Sequence, residues 1–128
     1  MGDRAQIAVV QGKGRVYLYS HWGGSEIRQT LANALDSKDG RGRWNDEEYL
    51  TRIIAREMGM GSDGETGYGI GLEMHGDIEY PLLVVNPTMG IVHEEQDIDY
   101  GDDSLKFAAP VSFQEFIDAV RSIEPRSD

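Results

Sequence analysis

Three short stretches of this chain bring together residue types that could do chemistry. The first is Tyr19-Ser20-His21-Trp22-Gly23-Gly24. A glycine-containing turn that feeds a helix exposes free backbone N–H groups at the positive end of the helix dipole, and those can hold an anion. The stretch has neither the Gly-Lys-Ser/Thr ending of a P-loop nor the spacing of a dinucleotide fingerprint, so it points to an anion without selecting a nucleotide class. The competing structural reading has Trp22 covering the core and His21 bonding locally. The second stretch is Arg41-Gly42-Arg43-Trp44, where two guanidiniums beside an indole could clamp a phosphate while the ring stacks on a base. Its competing reading is a loop between helices in which Trp44 packs as a hydrophobic staple. The third is Gly64-Glu65-Thr66-Gly67-Tyr68-Gly69-Ile70-Gly71. In strand period Gly67, Gly69 and Gly71 share a face, leaving a smooth strip that a ligand, a helix or a partner backbone could approach. Glu65 and Thr66 are the polar groups at its mouth.

Other chemistries have less to stand on. The chain has no cysteine, which removes disulfides, thiolate nucleophiles and Cys-ligated metals. Its histidines, His21, His75 and His93, carry no paired-ligand spacing, so no metal or cofactor is expected; a site built from His75, Asp77 and His93 would need the fold to align them. Ser20 and His21 are adjacent on a strand and point to opposite faces, so they are no catalytic dyad.

The elements that must position these residues follow from periodicity. Segments 5–10 and 15–20 are β-rich and joined by Gly12-Lys13-Gly14, a hairpin in which Val16 and Leu18 face the core and Arg15, Tyr17 and Tyr19 the other side. Ile27, Leu31, Ala34 and Leu35 make the buried stripe of a helix with Ser25 as N-cap, ending near Asp36. A polar linker over 37–44 leads to a second helix starting at Asn45 or Asp46, with Asn45 and Glu48 as a capping box. Its stripe is Leu50, Ile53, Ile54 and Met58, with Gly59 as the C-terminal stop. Segments 68–73, 78–85 and 91–94 read as a three-stranded antiparallel meander. Ser112 and Glu115 form the capping box of a last helix bearing Phe113, Phe116, Ile117 and Val120. The order β-β-α-α-β-β-β-α implies an α+β fold: a single domain over 1–128 with an antiparallel sheet of about five strands and helices packed on one face.

Charge is distributed unequally. Residues 1–56 hold nine bases and seven acids and residues 57–128 three and 16, so the halves stand at +2 and −13 in a chain of net charge −11. That balance argues against direct nucleic-acid binding or an anionic membrane surface for the whole molecule. The apolar runs are far too short to span a bilayer and Met1-Gly2-Asp3-Arg4 opens no apolar leader, which together suggest a soluble, cytoplasmic protein. The acids concentrate between Glu94 and Asp103, where a mobile acidic loop is expected over 94–109.

The segments 16–24, Arg43-Trp44 with Tyr49-Leu50, and 64–70 together resemble a small family of uncharacterised proteins from haloarchaea, actinobacteria and their viruses. The resemblance covers 4–85 and implies a host context, with no activity or catalytic residue to carry over.

Taken together, the sequence suggests a non-catalytic binding module for a small anionic, nucleotide-like ligand, carried by a virus or mobile element as a sequestering protein. Its pocket would be lined by His21, Trp22, Arg43, Trp44, Tyr49, Arg52, Glu65, Thr66 and Tyr68. The alternative is an acidic interaction module, an inhibitor or charge mimic that meets a basic protein surface through Glu94, Glu95, Asp97, Asp99, Asp102 and Asp103. A nucleotide hydrolase with Glu65 or His21 as general base ranks third, because no nucleophile, base and oxyanion donor stand at recognisable spacing.

Overall fold

The computed structural model describes residues 2–60, 67–96 and 105–123. Strands β1 (Ala5–Gln11) and β2 (Gly14–Ser20) form the expected antiparallel hairpin, turning where Gly12 takes φ +57°. A 3₁₀ turn (Gly24–Glu26) leads into α1 (Ile27–Asp36), followed by the single turn α2 (Lys38–Arg41) and by α3 (Glu47–Met58). Strands β3 (Tyr68–Gly71), β4 (Leu82–Asn86), β5 (Ile91–Glu95) and β6 (Val111–Ser112) then precede α4 (Phe113–Ile123). The fold is α+β, as expected, but its sheet is mixed and among the described residues has six strands in the order β3-β2-β1-β4-β5-β6.

Only half of the expected meander forms: β4 and β5 pair antiparallel as read, but β3 does not join them. β3 pairs with β2 at one edge, whereas β4 lies beside β1 and runs parallel to it. Leu82-Leu83-Val84-Val85 is buried along its whole length, and a strand apolar on both faces belongs in the middle of a sheet. A parallel neighbour needs a crossover, which the long stretch between β1 and β4 supplies. β3 has glycine at alternate positions and little to bury, so it goes outside.

The helices do lie on one face, as the apolar stripes require. Ala5, Ile7, Val9, Leu18, Leu83, Val85 and Val92 of the sheet form one core with Leu31 and Leu35 of α1, Leu50 and Ile54 of α3, and Phe113 and Phe116 of α4. α1 packs on both α3 and α4. The opposite face is covered in part, by Ile78 resting on Ala8, Leu82 and Val84, with Tyr17, Tyr19 and Met74 around them. Among the described residues, no helix is long and apolar enough to cross a membrane.

Helix ends differ from expectation in an informative way. Ser25 does not cap α1 with its side chain; its N–H donates to Asp3 Oδ2 at 2.8 Å, and the Asp3 carboxylate also accepts the Tyr80 hydroxyl. Burial alone would raise the Asp3 carboxyl, yet the hydrogen bonds from Tyr80 and Ser25 outweigh it and hold the group below its ordinary value. Gly24 is required beside this contact, because any side chain there would run into the Tyr80 ring. In α3 the cap is Asp46, which accepts from the Tyr49 N–H at 3.1 Å, in place of Asn45. Gly59 ends that helix with φ +108°, the left-handed geometry glycine adopts without strain. The linker expected over 37–44 contains α2, capped by Ser37 Oγ accepting from the Gly40 N–H. The Ser112 and Glu115 capping box forms reciprocally, at 3.1 and 2.9 Å.

An Asp46→Ala substitution should destabilise the protein by about 1 kcal/mol in urea denaturation, whereas Asn45→Ala should stay within roughly 0.5 kcal/mol of the parent.

Candidate functional site

The structure brings the first and third sequence features together and sets the second apart. At the end of β2 the His21 N–H donates to the Gly67 carbonyl at 2.8 Å, and a Cβ on Gly67 would stand 3.0 Å from the Trp22 indole. Trp22 is 62% exposed and packs edge-on against His21, with ring centres 4.3 Å apart. The Tyr19 hydroxyl meets His21 Nδ1 at 2.9 Å while the Tyr19 ring stacks on His75 at 4.6 Å. Burial, with Asp77 and Glu79 nearby, raises the Tyr19 phenol above its ordinary value and keeps it neutral. Neither Tyr19 nor His75 is among the ligand-binding residues expected from the sequence. Tyr19's place on the solvent side of β2 was readable, but the loop that returns His75 to it was not.

This turn is no open anion site. The positive start of α1 is already met by the chain's own Asp3, so a bound anion would have to displace it. Nothing local in sequence marks that role, since Asp3 and Ser25 lie 22 residues apart. The three glycines also fail to pack a helix: Gly69 and Gly71 stand opposite Tyr19 and Tyr17 on the face away from the helices, and a Cβ on Gly71 would meet nothing. Tyr68 points the other way, its hydroxyl against Gly59 at the end of α3, where it supports packing. Glu65 and Thr66 lie outside the described residues.

Trp44 belongs to the core boundary. Its Nε1–H donates to the Leu35 carbonyl at 2.8 Å, its ring meets Phe113 edge-on at 5.5 Å, and Arg41 lies 5.1 Å above it. Arg41 is in turn held by Asp36 and Gln114. Trp44 therefore seals the last turn of α1 against the first residue of α4, while Trp22 precedes the first turn of that same helix. The length of α1, about 12–15 Å, separates the two tryptophan loops, and the single cleft expected from the sequence does not assemble.

Three of the expected ligand residues do meet. The Arg43 guanidinium sits 4.7 Å over the ring of Tyr49, which is 50% exposed, and is tethered at 3.6 Å to Asp46. Beside them Glu48, Tyr49 and Arg52 line a shallow cleft of about 190 Å³. A second, wider cleft of about 420 Å³ is lined by Gln11, Asn45, Asp46, Glu47, Glu48 and Thr88. Glu47 there is spent on structure, accepting from the Gly12 N–H and the Thr88 hydroxyl.

The acidic stretch is not a free loop where it begins. Glu94 is buried in β5, accepting from Arg28 Nε at 2.7 Å and from the backbone N–H groups of Lys106 and Phe107. Glu95 takes a two-pronged bond from Arg15 at 2.9 and 2.7 Å and meets His93 Nε2 at 2.9 Å. Both were expected to face a basic partner; they are inward or paired because alternation along β5 puts one on each sheet face. Asp97, Asp99, Asp102 and Asp103 lie outside the described residues. His93 is engaged by Glu95, apart from His75 and Asp77, and among the described residues no three metal-ligating side chains converge.

Comparison with protein families, curated proteins and solved structures returns no match.

Arg15, assisted by His93, holds Glu95 down to about 2, against an ordinary 4.5. A carboxyl depressed on folding contributes stability that is complete above about pH 4.5 and is lost as the pH falls toward 2. The melting temperature should drop through that window more steeply than in a Glu95→Gln variant, measured by calorimetry. The tryptophans should also separate: Trp44→Ala should cost about 3 kcal/mol in chemical denaturation and Trp22→Ala less than about 1 kcal/mol.

Proposed function

We propose that the protein is a non-catalytic binding module whose small, planar, anionic ligand is held at Arg43, in the turn ahead of α3, and at Tyr49 and Arg52 on the first two turns of that helix. The observation that supports this reading is the Arg43 guanidinium over the half-exposed Tyr49 ring, with Arg52 on the same rim. A planar ring of the nucleobase kind can stack on Tyr49, where the cation above the ring already marks an electron-rich face. Arg52 makes no ion pair among the described residues and supplies charge for a phosphate or carboxylate, while Glu48 accepts N–H donors from the ring. Arg43 must trade its Asp46 tether for the ligand, a modest loss because that i,i+3 pair is exposed.

The other two readings have less support. The acidic-partner reading loses Glu94 and Glu95 to internal bonds. The hydrolase reading has His21 committed to the Tyr19 hydroxyl through Nδ1. In keeping with the resemblance to haloarchaeal, actinobacterial and viral proteins, such a module would sequester its ligand.

A thermal-shift and calorimetric screen with nucleoside mono- and diphosphates, cyclic nucleotides and ADP-ribose-type compounds should find a ligand recovered intact by mass analysis. Its affinity should fall at least about tenfold in Tyr49→Ala and in Arg52→Ala, a change of about 1.4 kcal/mol, and stay unchanged in Trp22→Ala. A cleaved product would favour the hydrolase; no response, or binding indifferent to both α3 variants, removes the reading.

A further inference from the structure

The two ends of the sheet are treated differently. β6 is two residues long, follows Pro110 and runs directly into the capping box of α4, so it offers an added strand almost nothing. At the other end, β3 pairs only with β2 among the described residues. Edge strands are commonly blunted by Lys, Pro, inward charge or a bulge, because their outer N–H and C=O groups can pair with another chain. Residues 67–72 contain none of the first three: they read Gly-Tyr-Gly-Ile-Gly-Leu. Ile70 is 67% exposed and Leu72 79%, and Trp22, over Gly67, adds exposed apolar surface at the start of the strand. On the opposite side of the strand Gly71 leaves open space, which a large side chain of a neighbouring strand can fill, while Gly69 lies against the Tyr19 side chain.

We infer that β3 is a strand-addition site for an extended, basic-flanked segment of a partner protein, with apolar or β-branched residues at alternate positions. Charge selects this occupant over a second copy. The edge is bordered by exposed Glu73, and beside Tyr19, the β2 neighbour of Gly69, the two acids Asp77 and Glu79 share the single cation Arg4, which leaves that side net negative. Two chains of net charge −11 repel, whereas Lys or Arg flanks on a partner meet complementary charge. Main-chain bonds to β3 supply affinity, and Ile70, Leu72 and Trp22 select the apolar side chains. The site is independent of the proposed ligand cleft, since Tyr68 lies against the C-terminal end of α3 and Tyr49 sits in its first turn.

The probe is acetyl-Lys-Lys-Val-Thr-Val-Thr-Val-Lys-Lys-amide, titrated into isotopically labelled protein at low salt and followed by amide NMR. Saturable shifts should centre on residues 68–72 and the Trp22 indole. Affinity should fall at least tenfold in Ile70→Lys, whose melting temperature should match the parent, and should vanish for the same peptide N-methylated at alternate residues. Tyr49→Ala should bind the peptide unchanged. The inference is overturned if no saturable shift occurs at β3, if binding survives Ile70→Lys or N-methylation, or if sedimentation shows the protein alone dimerising through β3.

Discussion

One inward-facing carboxylate sets the geometry on which the rest of the molecule depends. Glu94 is almost fully buried on the helix side of β5, where it accepts from Arg28 of α1 and from two backbone N–H groups ahead of β6. A carboxylate out of water is tolerated only when its charge is paired and its lone pairs are filled, and removing one partner is far costlier than the intact pair is beneficial. Because strand side chains alternate, fixing Glu94 inward fixes His93 and Glu95 outward, where Arg15 reaches across from β2 to Glu95, which His93 also meets. A slip of one residue would bury His93 and Glu95 and strand Arg28. The same contact ties the helix layer to the sheet, and a second ion pair spans the sheet's other face.

How much of this could be read in advance depends on the range of the interaction. The hairpin, the stripes of α1, α3 and α4, Gly59 as a stop and the Ser112 and Glu115 box are all governed by neighbours within a few residues, and they stand as the periodicity implied. Strand partners are not local. The unbroken apolar run in β4 was the available sign of a central strand, and it was outweighed by the turn residues on either side, which suggest a meander. The caps show the same division: Ser112 caps within its own box, whereas α1 takes Asp3, which no window around Ser25 contains.

The candidate site was legible as residues and illegible as an arrangement. Arg43, Tyr49 and Arg52 meet because two of them are about one helical turn apart and the third lies in the turn that leads into that helix. Trp22 and Trp44 were grouped because both combine an aromatic with turn residues, yet α1 holds them at its two ends and gives them different work. Trp44 has its indole N–H satisfied and its ring against Phe113, the situation of a packing residue. Trp22 is left over a glycine at the surface, where large apolar area needs an explanation from outside the chain.

The parallel pairing of β1 with β4 also has a temporal side. The central strand of the sheet begins at Ala5, but its neighbour comes from Leu82–Asn86, and the N-terminal residues Asp3 and Arg4 are held by Tyr80 and Glu79 across separations of 77 and 75 residues. During synthesis the hairpin and first helices emerge with one side of β1 unpaired, and the core cannot close until those later strands leave the ribosome. Contacts this distant are entropically expensive to form and slow to find. The emerging chain therefore carries two unpaired strand edges, that of β2 until Tyr68–Gly71 arrives and that of β1 until Leu82–Asn86 follows.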